Sequence, residues 1–230
     1  MRKIYIRGTI EEIKSNTQGM SRKERLGYIV TYYWLQIGGV IFAVFFLVYF
    51  LTHFLFGIKE NWIYVTFTNV LTSDEGVNVL RKDYIEYAGY DLKEKNVVFN
   101  SNSYFDAATV QGTNNNYFQV FAAMVEAGDL DAVIGTGDNI AAVGAGGRLK
   151  DLASDEMREL FAGYSERFVY CTPIDEEYSE DEVPVGIDIS DSSVVEKYGI
   201  YPCDCVLGVG ANTKNAEEVL RFLKFICEDI

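Results

Sequence analysis

Asp129-Leu-Asp-Ala-Val-Ile-Gly-Thr-Gly-Asp-Asn-Ile140 decides how the chain is read. Ala132-Val-Ile134 is a short apolar run of the kind a strand buried on both faces shows, and Gly135-Thr-Gly-Asp138 turns it into a helix. Upstream, Trp62-Ile-Tyr-Val-Thr-Phe-Thr68 is β-branched and aromatic and reads as a strand, with Asn96-Val-Val-Phe-Asn100 as a second. Helical spacing fills the gaps. Val77, Leu80, Tyr84, Ile85 and Ala88 recur up to Gly89 behind a Ser73-Asp-Glu-Gly76 start, and Tyr117, Val120, Phe121, Met124 and Val125 run up to Gly128. Downstream, Ser154-Asp-Glu-Met157 opens a helix with a capping box, and Phe168-Val-Tyr-Cys171 and Val183 to Ile189 read as strands. Ser190 to Tyr198 reads as helix, Cys205 to Val209 as strand and Asn215 to Asp229 as an amphipathic helix. This alternation predicts an α/β domain over residues 59–230 with a mostly parallel sheet.

Ahead of that domain, Leu26 to Ile58 contains no Asp, Glu, Lys or Arg, and Ile37 to Phe56 is almost wholly apolar. A helix needs about 20 such residues to cross a hydrocarbon layer of about 30 Å, so residues 26–58 are predicted to be a transmembrane signal anchor in contact with the lipid bilayer. Tyr28, Tyr32, Tyr33 and Trp34 before it, and Trp62 and Tyr64 after it, are expected at the two headgroup levels. No small-residue cleavage site follows the apolar run, and the first cysteine is Cys171, so neither a cleaved signal peptide nor a lipoprotein is expected. Residues 1–25 hold seven Lys and Arg against three Glu, which predicts a cytoplasmic N-terminus. Ser21 and Glu24 read as a capping box that starts the anchor helix, which is expected to enter the membrane without a break. The C-terminal domain is then extracellular, and it is strongly acidic: it takes 31 of the 34 Asp and Glu but only 13 of the 20 Lys and Arg.

Charge and motif content exclude several functions. A net charge of −14 argues against nucleic acid as a partner, since phosphate backbones are bound through Lys and Arg. His53 is the only histidine and lies in the anchor, so no histidine triad or two-histidine metal site can form in the outer domain. Gly135-Thr-Gly137 lacks the third glycine of a dinucleotide fingerprint, which falls at Ile140, and no Walker motif occurs. No catalytic residue, metal or cofactor is assigned. The acidic run Glu176 to Glu182 reads as a solvated loop rather than a calcium loop. Cys171, Cys203, Cys205 and Cys227 are read as free buried thiols, with one disulfide or zinc ligation as the alternatives; Cys203 and Cys205 would share a face in a strand.

The order of motifs resembles a known family. Leu130 to Leu152, with Gly-Arg-Leu-Lys-Asp-Leu at its end, and Val206 to Phe225 are similar to stretches of extracellular solute-binding proteins of the type II periplasmic-binding fold, and Ile63 to Asn69 fits that family's opening strand. The resemblance implies one lobe of such a protein, membrane-anchored, because Leu152 and Val183 leave space for only a short helix and strand where a second lobe would lie. It implies an extracytoplasmic module for a small polar solute such as a sugar or peptide, linked to a transporter or another envelope protein. The alternative is a protein-interaction or sensor scaffold with no small ligand.

Ligands of open α/β sheets bind beyond the carboxyl ends of the parallel strands, near helix N-termini. That rule and the resemblance name Thr68 and Asn69 after the first strand, Asn100, Ser101 and Tyr104 after the second, Thr136, Asp138 and Asn139 after the third, and Asn212 after the last. Asp138 and Asn139 lead. The same residue types are favoured helix caps, so Asp138, and Asn212 with Thr213, also fit as caps of the helices that follow them.

Overall fold

A computed structural model of the protein describes residues 6–55, 59–70, 75–174 and 181–228. It divides into two compact units, Met1–Ile58 and Lys59–Ile230.

In the first unit, α1 (Ile6–Asn16) is followed by α2 (Arg22–Leu55). The predicted capping box forms: the Ser21 N–H and hydroxyl both donate to Glu24 Oε2 (2.9 and 2.7 Å), and the Glu24 N–H points back at Ser21 Oγ at 3.4 Å. Asn16 Nδ2 donates to the Tyr28 hydroxyl at 3.3 Å and ties α1 to the first turns of α2. From Arg22 to His53, α2 is long and apolar enough to cross a membrane. Phe42 and Phe45 are each 70 % exposed, which sets this helix apart from the core helix of a soluble domain. The helix is not continuous in geometry, because it kinks at Tyr33 (φ −120°, ψ 16°).

In the second unit the order is β1 (Asn61–Thr68), α3 (Glu75–Ala88), β2 (Asn96–Ser103), α4 (Val110–Thr113), α5 (Asn116–Ala127), β3 (Ala132–Gly135), α6 (Gly137–Ala145), α7 (Asp155–Leu160), β4 (Phe168–Cys171), β5 (Val183–Asp188), α8 (Ser193–Glu196), β6 (Val206–Val209) and α9 (Ala216–Glu228). Trp62 and Tyr64 are β1 residues, in the strand predicted from residue 62. Trp62 stacks on Tyr90 with ring centroids 4.9 Å apart, and Tyr64 is half-buried.

The sheet order is β2-β1-β3-β6-β5-β4. β1 pairs in parallel with β2 and β3, but the β3–β6, β6–β5 and β5–β4 pairs are antiparallel, so the sheet is mixed rather than mostly parallel. The reason is physical. Ala132-Val-Ile-Gly135 and Val206-Leu-Gly-Val209 are buried along their whole length, and an apolar run reports two-sided burial, not strand direction. The chain leaves β5 and enters β6 at the same sheet edge, which forces the antiparallel pair. β4 is an edge strand of this one sheet, so the described residues between Leu152 and Val183 extend the same α/β unit.

Two apolar cores flank the sheet. One gathers Phe67, Tyr84, Leu207, Phe222 and Ile226 under α3 and α9, and the other gathers Phe105, Phe118, Phe121, Ile140 and Val185 under α5 and α6. Gly144 lets α6 lie against β5: a Cβ there would sit 2.6 Å from Val185 Cγ2. Gly128 ends α5, as predicted, and does so in the left-handed region (φ 74°).

Other expectations change in detail. Ser154 is the N-cap of α7 but its side chain makes no capping bond; the hydroxyl donates backwards to the Asp151 carbonyl at 2.7 Å. Only Ser193–Glu196 of the span 190–198 is α-helical. The start at Ser73 and Asp74, and most of the acidic run from Glu176, lie outside the described residues.

Candidate functional site

β1 and β3 end side by side, at Thr68 and Gly135, and β6 begins beside them, since Gly135 faces Val206. This is the edge where a ligand was expected. Its polar groups are joined to one another.

Asn139 is 2 % exposed, in the first turns of α6. Its Oδ1 accepts the Ala107 N–H at 2.7 Å, and its Nδ2 lies 3.2 Å from Thr68 Oγ1 and 3.3 Å from the Phe105 carbonyl. The Thr68 hydroxyl donates to the Ile134 carbonyl at 3.1 Å. Asn69 sits in the left-handed region (φ 57°), where Asn is among the few non-glycine residues at ease. Its Nδ2 donates to the same Phe105 carbonyl at 2.7 Å. Two asparagines therefore hold the loop after β2 down on the strand ends. Phe105, 3 % exposed, is driven into the core between Phe118 and Phe121.

From the other face Tyr201 closes the same edge. Its hydroxyl donates to the Thr68 carbonyl (2.6 Å) with the Ile134 carbonyl at 3.0 Å, and burial pushes this phenol well above its ordinary range. The first helical N–H of α6, on Gly137, points at Asp204 Oδ1 at 3.3 Å. The acceptor at that helix N-terminus is thus a carboxylate of the chain itself, from a residue in the left-handed region (φ 38°).

The predicted site residues divide accordingly. Thr68, Asn69 and Asn139 come together, as a latch. Thr136 is the exposed N-cap of α6 with no side-chain capping bond, and Asp138 is exposed in its first turn, so Asp138 is not the cap. Asn100 and Ser101 lie within β2, which runs on to Ser103, and so do not follow that strand. Tyr104 does follow it, but its ring is 40 % exposed on the outer surface, edge-on to Tyr117 at 5.7 Å. Asn212 is at the opposite edge, because β6 runs antiparallel to β3; its Nδ2 donates to the Glu126 carbonyl at the end of α5. Thr213 does help start α9, accepting the Asn215 N–H at 3.0 Å.

Three residues escaped the sequence reading: Tyr201, Asp204 and Asp131. Asp131 is 1 % exposed and accepts from the Tyr64 N–H (2.8 Å), the Thr213 hydroxyl (2.5 Å) and Asn215 Nδ2 (3.2 Å). Burial raises its pKa above the ordinary carboxylate value despite those donors. It pins β1 and β3 to the start of α9, a structural task.

Two grooves open at the other edge of the sheet. One of about 620 Å³ is lined by Trp62, Lys95, Lys214 and Glu218, and one of about 640 Å³ by Gly144, Gly147, Ile174, Val185 and Asn212. Among the described residues, no group of three or more His, Cys, Asp or Glu side chains is placed to hold a metal ion. No protein-family model, no curated protein and no solved structure matches the chain.

Proposed function

We propose that the chain is a membrane-tethered α/β module that presents its outer surface to another protein of the cell envelope. One observation carries this reading: the donors and acceptors at the carboxyl ends of β1 and β3 are used by the chain's own Phe105, Ala107, Tyr201 and Asp204. A small polar solute binding there would have to displace hydrogen bonds already made in a buried setting, which costs about 1–3 kcal/mol for each group left unpaired. The apolar α2 supplies the tether, and the cation-rich first 25 residues favour an extracellular position for the acidic unit.

Exposed Thr136 and Asp138 favour a second reading, in which a lobe similar to a solute-binding protein takes a sugar or peptide at this rim. A thermal-shift screen of the full chain in detergent against sugars, amino acids and short peptides separates the two. The interaction reading expects no shift. A hit that Asp138→Ala abolishes, with the variant still folded, replaces it by the solute reading, since 100-fold excess over Kd stabilises by about 2.7 kcal/mol.

A further inference from the structure

The exposed side of α5 carries an apolar strip beside Asn116, Gln119 and Glu126. Phe118, Phe121 and Val125 fill the core. On the other side Tyr117 is 45 % and Val120 61 % exposed, and Ala123 and Ala127 are exposed at i+3 and i+7 from Val120. Tyr104, edge-on to Tyr117, extends the strip toward the latch loop. The charged residues of this stretch of chain have one sign. Between Lys95 and Arg148 the sequence has no Lys or Arg, while Asp106, Glu126, Asp129 and Asp138 are all exposed. Arg148 itself is turned inward, its guanidinium 5.0 Å over the Phe118 ring and bonded to the Gly146 carbonyl.

We infer that this face docks a basic amphipathic helix of a partner protein, an inference that rests on the interaction reading above. The partner's apolar ridge would lie along Tyr104, Tyr117 and Val120, and its flanking Lys and Arg would meet Asp106, Glu126 and Asp129, with charge complementarity choosing the partner. The same charges disfavour the other occupants. A second copy would set one set of these carboxylates against another, and an anionic lipid surface would be repelled.

The test uses the full chain in phosphatidylcholine nanodiscs, with a Leu/Lys amphipathic peptide of about 18 residues, long enough to be helical, and a Leu/Glu peptide of the same pattern. Hydrogen exchange reads the footprint, and protein-free nanodiscs give the blank. The Leu/Lys peptide is expected to protect α5, the Leu/Glu peptide to leave it unchanged, and Tyr117→Ser/Val120→Ser to weaken binding about tenfold or more. Val79→Ser, at an exposed position of α3 on the opposite sheet face, is expected to have no effect. Equal losses in the two serine variants, or equal binding of the two peptides, overturn the inference, as does protection of α5 by anionic vesicles or a self-association that the Tyr117/Val120 variant dissolves. A footprint on another surface sinks this inference and leaves the interaction reading standing. A solute shift abolished by Asp138→Ala sinks that reading itself.

Discussion

Asn139 and Ala107 are 32 residues apart and meet across the end of the sheet, the Asn139 amide oxygen accepting the Ala107 N–H at 2.7 Å. The same side chain donates toward Thr68 Oγ1 and the Phe105 carbonyl. Asn139→Ala leaves these groups buried and unpaired, so it is expected to cost about 1–3 kcal/mol. The loss has a definite address: amide exchange should accelerate at 105–109 well before the strands respond. Exchange rising evenly across the unit would mean that Asn139 is ordinary core and holds no latch.

Asp131 gives a pH signature. Its folded-state pKa is raised above the unfolded value near 3.9, mainly by burial. Between those two values the folded chain binds more protons than the unfolded one, so this group's contribution to stability falls as pH rises through the window and levels off above it. Asp131→Asn removes the titration and turns an amide donor toward the Tyr64 N–H, at about 1–3 kcal/mol. The deficit of the variant should therefore be larger near pH 4 than at pH 7 in urea titrations of the full chain. A deficit that grows with pH would show a depressed carboxyl.

At Gly144 the contact is with Val185 Cβ and both its γ carbons, at 2.6–2.9 Å from an added Cβ. Those atoms belong to a strand and cannot swing aside. Gly144→Ala gains helix propensity but must push α6 off β5, a net loss of about 1–3 kcal/mol. Gly163, where an added Cβ meets nothing within 4 Å, is the comparison: Gly163→Ala should be close to neutral by thermal melting, and parity of the two variants would refute the close approach.

Much of this architecture is legible in the residues. Ala132-Val-Ile134 and the turn after it gave strand and helix at their right places, and Gly89 and Gly128 marked helix ends, because periodicity and left-handed caps are local signals. Strand direction is not local: nothing in Val206 to Val209 records that β6 returns beside β3. The fate of the site residues is less local still. Asn139 and Asn69 read as ligand donors by their position after buried strands. Whether such amides face a solute or their own backbone depends on the path of Tyr104 to Thr109, which has no periodicity to read. Tyr201 and Asp204 reach the same edge from more than 60 residues downstream of β3, and Asp131 was hidden inside the very stretch that identified the strand.

The cysteines carry the last prediction. Cys203 and Cys205 would share a face in a strand, but Asp204 between them is left-handed (φ 38°), and the pair splits: Cys203 is exposed and Cys205 buried. All four thiols are free. Burial pushes the Cys227 thiol up to about 11 and Cys205 further, and it raises Cys171 with help from Asp151 and Glu182. The thiolate is the nucleophile, so at pH 8 an alkylating reagent should modify Cys203 first and leave the other three to react only as the chain opens. Peptide mapping after brief iodoacetamide treatment measures this directly. Prompt labelling of Cys205 would mean that the 201–205 segment, with Tyr201 and Asp204 in it, does not hold the strand ends as described.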